Sequence, residues 1–416
     1  MPIPFAEPLE PRMQLAAHGL SATYFNNSDF GGTTFSRVDR EVDFAWPDHA
    51  RPAKPIGGTT FAVRWSGLVR PRNTETVTFS VRANDGARLW VNGQLLVNAW
   101  QAGAVAERSG SIALEGGKLY DLRLEHFTGR RVASVKLAWR SATVSKRVVP
   151  SNRLFAYDTR AAVIGDYGKT NDGAHATSDT VHHWAPDYVV TVGDNNYDNG
   201  GADTIDANIG QFYHDFIGSY AGRFGAGSST NRFFPSLGNH DWDMTGASPY
   251  LNYFALPGNE RYYEFVKGSV HCFAIDSDAR EPDGTSSTST QAQWLQQRLA
   301  ASTSPFNVVY FHHPPFSSGG THGSTAYMQW PFKQWGADVV LTGHDHNYER
   351  LEVGGLTYVV DGSGSETRPM GSTVAGSVFR NASDTGALLV QANDLAMTFQ
   401  YELRDGSVID AFSISN

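Results

Sequence analysis

The apolar pattern changes period once along the chain, near residue 150, and a chain that does this cannot form one uniform fold. Before the change, Phe61, Val63 and Trp65 alternate with other residues, Val77, Phe79, Val81 and Ala83 alternate with Thr76, Thr78, Ser80 and Arg82, and Val135, Leu137 and Trp139 repeat the pattern. A period of two puts one face of each strand into a core. Asn92-Gly93 falls between two apolar runs and suits a two-residue hairpin turn, which requires positive φ. Many short strands joined in this way predict an all-β sandwich over residues 16–157.

Between residues 141 and 160 the period disappears and Ser, Pro150 and basic residues accumulate, the composition of a domain joint. Beyond it, residues 161–166, 188–194, 308–312 and 339–344 are short apolar runs that read as strands buried on both faces. Ile205, Ile209, Phe212 and Phe216 recur at helical spacing, as do Trp294, Leu295 and Leu299, and 387–391 and 397–403 read as further strands. Buried strands separated by helices predict an α/β layered domain over residues 158–416, leaving 1–15 as an N-terminal extension.

Composition narrows the function. Aromatic residues at 12% against 18% charged supply enough apolar bulk for packed cores. A net charge of −9 argues against a nucleic-acid-binding face, which needs cations against phosphates. Cys272 is the one cysteine, so an intrachain disulfide and a thiolate metal cluster are both excluded. Any metal must be held by His, Asp, Asn or Tyr. No stretch approaches the roughly 18 apolar residues of a membrane span, and the N-terminus as given lacks the basic start and apolar core of a signal peptide.

Five polar clusters each follow an apolar run: Gly165-Asp166-Tyr167-Gly168, Gly193-Asp194-Asn195-Asn196-Tyr197, Gly238-Asn239-His240-Asp241, His312-His313-Pro314-Pro315 and Gly343-His344-Asp345-His346. In open α/β sheets the carboxyl ends of the strands form the ligand crevice, so all five should converge. Their carboxylates, phenol, amide and imidazoles suit hard or borderline cations. Seven such donors exceed the needs of one ion, whereas two ions sharing a carboxylate, about 3.5 to 4 Å apart, use them all to hydrolyse phosphate esters.

This series resembles the purple acid phosphatases within the calcineurin-like metallophosphoesterase family, over residues 158–416. Asp166 lacks the Asp-x-His of most members, and Tyr197, three residues after Asp194, stands where the purple subfamily carries its tyrosine. The resemblance implies Fe(III) on Asp166, Tyr197, His346 and bridging Asp194, and a divalent Fe, Zn or Mn on Asp194, Asn239, His312 and His344. It also implies that His240 contacts the substrate phosphate and that His322 in Gly319-Gly320-Thr321-His322-Gly323 assists it. His313 adjoins His312, and strand alternation turns it away from the ions. Asp241 and Asp345 are expected to hydrogen-bond ligand histidines, with Tyr348, Glu349 and Arg350 packed behind.

The implied chemistry is phosphomonoester hydrolysis by in-line attack of hydroxide generated between the cations, the histidines protonating the leaving group. Phosphodiester or nucleotide hydrolysis on the same site is the alternative, with specificity in loops such as 198–204 and 280–290. A carbohydrate-binding protein with a vestigial catalytic domain is the reading from another class. Family resemblance also implies a secreted or periplasmic location.

Residues 19–25, 61–67, Asn84-Asp85-Gly86 through Gly93, and Trp100 resemble the β-domain of anthrax protective antigen that recurs in glycosidases and adhesins. The resemblance implies a carbohydrate-binding module and glycan partners. In its sugar-binding members an Asp-Asp pair helps hold calcium. Here Asn84 replaces the first Asp, and the turn-forming habit of Asn, Asp and Gly accounts for the segment without an ion.

Overall fold

A computed structural model of the chain describes residues 17–47, 50–56, 60–129 and 132–416. The expected extension at 1–15 lies outside the described residues. The first domain is a sandwich of two antiparallel sheets. One runs Thr34–Asp39, Leu20–Phe25, Phe61–Val69, Tyr120–Thr128, Gly86–Val91, Gln94–Ala99, with Leu154–Ala156 also on Phe61–Val69. The other runs Arg147–Val148, Ala133–Arg140, Glu75–Ala83, Ala106–Leu114, with Asp43–Trp46 on Ala133–Arg140.

Alternation decides which side chains meet between the sheets. Val63, Trp65, Phe79, Val81, Leu122, Leu124, Val135 and Leu137 share one core. The hairpin turn holds Asn92 at φ 52° and Gly93 at φ 71°, the conformation their types favour. The strands Arg147–Val148 and Leu154–Ala156 still pair within the sandwich, and the next strand, Thr159–Ile164, belongs to the second domain. Two- and three-residue strands are too short to show a period, which is why this segment reads as a joint.

The second domain stacks helix, sheet, sheet and helix. One sheet runs Phe233–Pro235, Tyr188–Thr191, Thr159–Ile164, Gly386–Asn393, Ala396–Leu403, Val408–Ser415. The other runs Tyr263–Lys267, Val270–Ala274, Phe306–Tyr310, Val339–Thr342, Leu356–Asp361, Tyr348–Val353, Ser377–Asn381. Their facing sides form one apolar layer that includes Val163, Val190, Val308, Leu341, Val390 and Phe399. The helix Asp172–Trp184 and residues 205–254 cover the first sheet, and Thr290–Ala301 with Phe332–Trp335 cover the second.

Asn171 caps the first of these helices, accepting from the Ala174 amide at 2.9 Å, and Ser289 caps Thr290–Ala301 through the Ala292 amide at 3.2 Å. The apolar spacing of Ile205 to Phe216 forms a π-helical turn over Asp206–Gly210 and a short helix Gln211–Tyr213. No described helix is long and apolar enough to cross a membrane.

The outer face of the first sandwich sheet packs on the second domain. Arg160 donates to Ser66 Oγ at 2.9 Å and Gln391 to the same oxygen at 3.2 Å, while Leu68 packs with Phe155, Tyr157 and Ala396. Arg160 lies at the start of Thr159–Ile164 and Asp166 beyond its end, so a strand of about 20 Å separates this interface from the polar clusters.

Candidate metal centre

Parallel pairing aims the strand ends at one edge. Thr159–Ile164, Tyr188–Thr191 and Phe233–Pro235 run parallel in one sheet, and Phe306–Tyr310 and Val339–Thr342 run parallel in the other. Their polar tips leave the strands through sharp turns. Asp166, Asp194 and His344 all adopt left-handed backbone, at φ 54°, 52° and 71°. Such conformations cost energy in a non-glycine residue and persist where the surroundings fix them. The glycines before them allow close approach, since a Cβ on Gly193 would lie 2.6 Å from His312 Nδ1 and one on Gly343 2.5 Å from Asp166 Oδ2.

All seven expected donors meet. Tyr197 Oη lies 3.1 Å from Asp166 Oδ1, 2.9 Å from Asp194 Oδ2 and 3.2 Å from His346 Nε2. His346 Nε2 is 3.3 Å from Asp166 Oδ1. On the other side, His312 Nε2 is 3.3 Å from Asp194 Oδ2, 3.1 Å from Asn239 Oδ1 and 3.1 Å from His344 Nδ1. Asp194 therefore belongs to both groups. Imidazole, amide and carboxylate groups gathered at such distances are a donor set able to hold metal.

The electrostatics agree with a place for positive charge. Burial opposes ionisation of Asp194, but His312 and His240 outweigh it and hold its pKa well below the ordinary range. Burial disfavours a charged His312, yet Asp194 and Asp166 raise its pKa to about 10. Burial and the same two carboxylates push the Tyr197 phenol well above its usual value. His312 Nδ1 donates to the Val192 carbonyl at 2.9 Å, which turns Nε2 toward Asp194 and Asn239.

His240 and His322 flank the cluster at its mouth. The His240 ring stands 4.5 Å from that of Tyr197, with Nε2 3.9 Å from Asp194 Oδ2, and the His322 ring lies 4.0 Å from that of His344. Asp241 and Asp345 do not act as expected: neither hydrogen-bonds a histidine ring among the described residues. Asp241 accepts from the Gly238 amide at 2.9 Å and Asn195 Nδ2 at 2.8 Å, while Asp345 accepts from Ser317 Oγ at 2.6 Å and the Gly323 amide at 2.9 Å. Both brace the loops that carry the histidines. Short loops expose many amide donors, and a carboxylate within the loop is the nearest acceptor. Glu349 likewise holds Ser318 and Ser377, and Tyr348 and Arg350 both bond Asp410.

Strand alternation does not separate His313 from its neighbour. The strand ends at Tyr310, and one ring nitrogen each of His312, His313 and His344 lie within 4.8 Å of one another. Sequence reading also passed over Glu366, whose Oε1 lies 3.1 Å from His346 Nδ1 and whose Oε2 meets Lys169 Nζ at 2.7 Å. The available signal is weaker than at the other tips: Leu356–Asp361 is another apolar run ending in a polar residue, followed by Gly362. Lys169, directly after the first cluster, places its ammonium 4.8 Å from the Tyr197 ring.

This layered fold with polar strand tips defines a metallophosphoesterase architecture, and comparison with known proteins agrees. The PA14 domain model matches residues 16–153 and the calcineurin-like phosphoesterase model residues 159–348. The chain therefore carries a calcineurin-like phosphoesterase domain behind a PA14 domain. Purple acid phosphatase 15 of Arabidopsis thaliana is 27% identical over 261 residues, 54% of this chain and 48% of that protein. The anti-sigma-I factor RsgI3 of Acetivibrio thermocellus is 43% identical over 140 residues, 34% of this chain and 22% of that one. The chain thus spans less than half the length of both relatives. Purple acid phosphatase PPD1 from yellow lupin (Lupinus luteus) seeds shares the fold with a TM-score of 0.51 at 15% identity, covering 92% of this chain and 81% of that chain.

Proposed function

We propose that the protein is a phosphoric ester hydrolase, an acid phosphatase acting on phosphomonoesters with two cations in this cluster. The observation that carries this reading is the position of Asp194 Oδ2, 2.9 Å from Tyr197 Oη on one side and 3.3 Å from His312 Nε2 on the other. Asp166, Tyr197 and His346 would complete one half, suited by its anionic oxygens to Fe(III), and Asn239, His312 and His344 the other, suited to divalent Fe, Zn or Mn. Bound there, such a pair acidifies water and neutralises charge on phosphate oxygens.

The residues of the chain supply the rest. His240 and His322 stand at the open side, where imidazole can hold a phosphoryl oxygen or give a proton to the departing alkoxide. The buried carboxylates and the backbone turns keep the donors fixed, so little reorganisation accompanies reaction. The test is elemental analysis of the purified protein, with rates on an aryl phosphate monoester and a bis-aryl diester. Two metal ions per chain and faster monoester cleavage support the reading; a preference for the diester would move the assignment to phosphodiesterase.

For the PA14 domain we propose glycan binding in the groove beside Asp85, Asn98, Trp100, Gln101 and Arg108. Asp85 accepts from the Gly103 amide at 2.9 Å and Asn84 from the Ser134 amide at 2.5 Å, so both side chains brace loops. Glycan-array binding that survives calcium chelation is the expected result.

A further inference from the structure

His313 is half-buried beside the second half of the cluster, and the reading of that cluster as a phosphoesterase site gives it no task. Its ring centroid lies 4.4 Å from that of His344 and 5.0 Å from that of His312. The ring of His344 is thus flanked by His313 as well as by His322. Ser277, fully buried at the end of the neighbouring strand, fixes the orientation of His313. Its Oγ accepts the His313 backbone N–H at 2.9 Å and meets His313 Nδ1 at 2.9 Å. Tyr327, exposed at the rim, donates to the Ser277 carbonyl at 3.0 Å and holds the same turn.

Hydrogen-bond arithmetic then sets the tautomer. Ser277 Oγ carries one proton and already accepts from the backbone, and among the described residues the other partner of that oxygen is His313 Nδ1. The hydroxyl therefore donates to Nδ1, and the ring hydrogen resides on Nε2. His312 is anchored the other way round: its Nδ1 donates to Val192, so Nε2 is the nitrogen that would face a cation and give up its hydrogen to one. A bare nitrogen can ligate a cation. One that carries hydrogen cannot, but it can donate to an anionic oxygen.

We propose that His313 is a substrate-binding histidine that donates from Nε2 to a phosphoryl oxygen beside the His344 half of the site, and is not a metal ligand. Adjacent histidines thereby divide the work, His312 facing the cation and His313 the anion. The inference rests on the phosphoesterase reading, but it is measured through phosphate binding and so does not depend on turnover.

The experiment uses the metal-loaded full chain, with inorganic phosphate as the probe in titration calorimetry and metal content determined on the same samples. His313→Leu should keep the wild-type metal content and bind phosphate about ten- to a hundredfold more weakly, the range for one hydrogen bond to a charged group. His313→Gln, whose amide restores a donor, should recover part of that loss, which a merely structural role would not predict. Loss of a metal ion in either variant would make His313 a ligand and overturn the assignment. Unchanged phosphate affinity at full metal content would overturn it too. Wild-type protein that binds phosphate but cleaves no ester would sink the hydrolase reading while leaving the phosphate contact of His313 to be judged by its own variants.

Discussion

Arg64 of the sandwich grips His183 at the end of the helix Asp172–Trp184: Nη1 donates to its carbonyl at 2.7 Å and Nη2 lies 2.6 Å from its Nε2. The same guanidinium donates through Nε to Glu125 at 2.9 Å, and Arg88 bonds the other oxygen of that carboxylate at 2.7 Å. A buried charge network therefore joins the two domains, at the end of the strands away from the candidate metal centre.

Removing its acid should be costly. Burial opposes ionisation of Glu125, but Arg64, Arg123 and Arg88 hold its carboxyl down at about 2. Glu125→Gln leaves Arg64 buried without its closest counter-charge, and breaking a buried pair this way costs about 3 kcal/mol or more. We expect that loss as a lower denaturant midpoint, with metal content and ester hydrolysis unchanged. Equal midpoints would mean that Glu125 does not bind the domains together.

Acid should weaken the same contact through His183. Burial, and then the charge of Arg64, lowers its pKa from 6.5 to about 4. The unfolded chain takes up a proton between those values and the folded chain does not. Stability from this group is therefore complete above about pH 6.5 and is lost as the pH falls toward 4, by about 3 kcal/mol at most. His183→Gln should flatten that part of the stability profile, measured as the midpoint against pH. A slope identical to wild type would refute the assignment.

Asp194 and His322 should fail in different ways. Asp194→Ala removes the carboxylate common to both halves and should abolish metal pairing. His322→Ala should retain the metals and lose rate, by about a hundredfold or more if the imidazole protonates the leaving group. Metal analysis separates the two, and a normal metal content in the Asp194 variant would end the bridging proposal.

Much of this was legible because the informative signals were local. The sandwich core follows from alternation at Val63, Trp65, Phe79 and Val81, four of the five tips from Gly-X pairs after apolar runs, and the fifth from the His-His-Pro-Pro run. The interface was not legible. Arg64, Arg88 and Glu125 occupy the polar phase of their strands, and alternation cannot tell a face that meets water from one that meets another domain. Alternation does not place the His313 ring, because it applies only while the strand lasts, and the strand ends at Tyr310. Asp241 and Asp345 were misassigned because hydrogen-bond partners in loops depend on three-dimensional proximity, which sequence spacing does not encode.

Tyr197 offers the most direct test of the cluster. Its Oη has Asp166, Asp194 and His346 within 3.2 Å, and burial together with those carboxylates raises its pKa well above 10. The phenol therefore keeps its proton unless a strongly charged cation displaces it, and Fe(III) is the ion whose hardness favours that exchange. A phenolate on Fe(III) absorbs visible light by charge transfer, so the iron-loaded protein should be coloured. Tyr197→Phe removes the oxygen but keeps the ring that packs 4.5 Å from His240 and 4.8 Å from the Lys169 ammonium. The variant should thus fold as the wild type does and lose the band. Iron-loaded wild type without colour, or a band that survives in the Phe variant, would rule out tyrosinate ligation and leave Asp166 and His346 to hold that half of the site with Asp194.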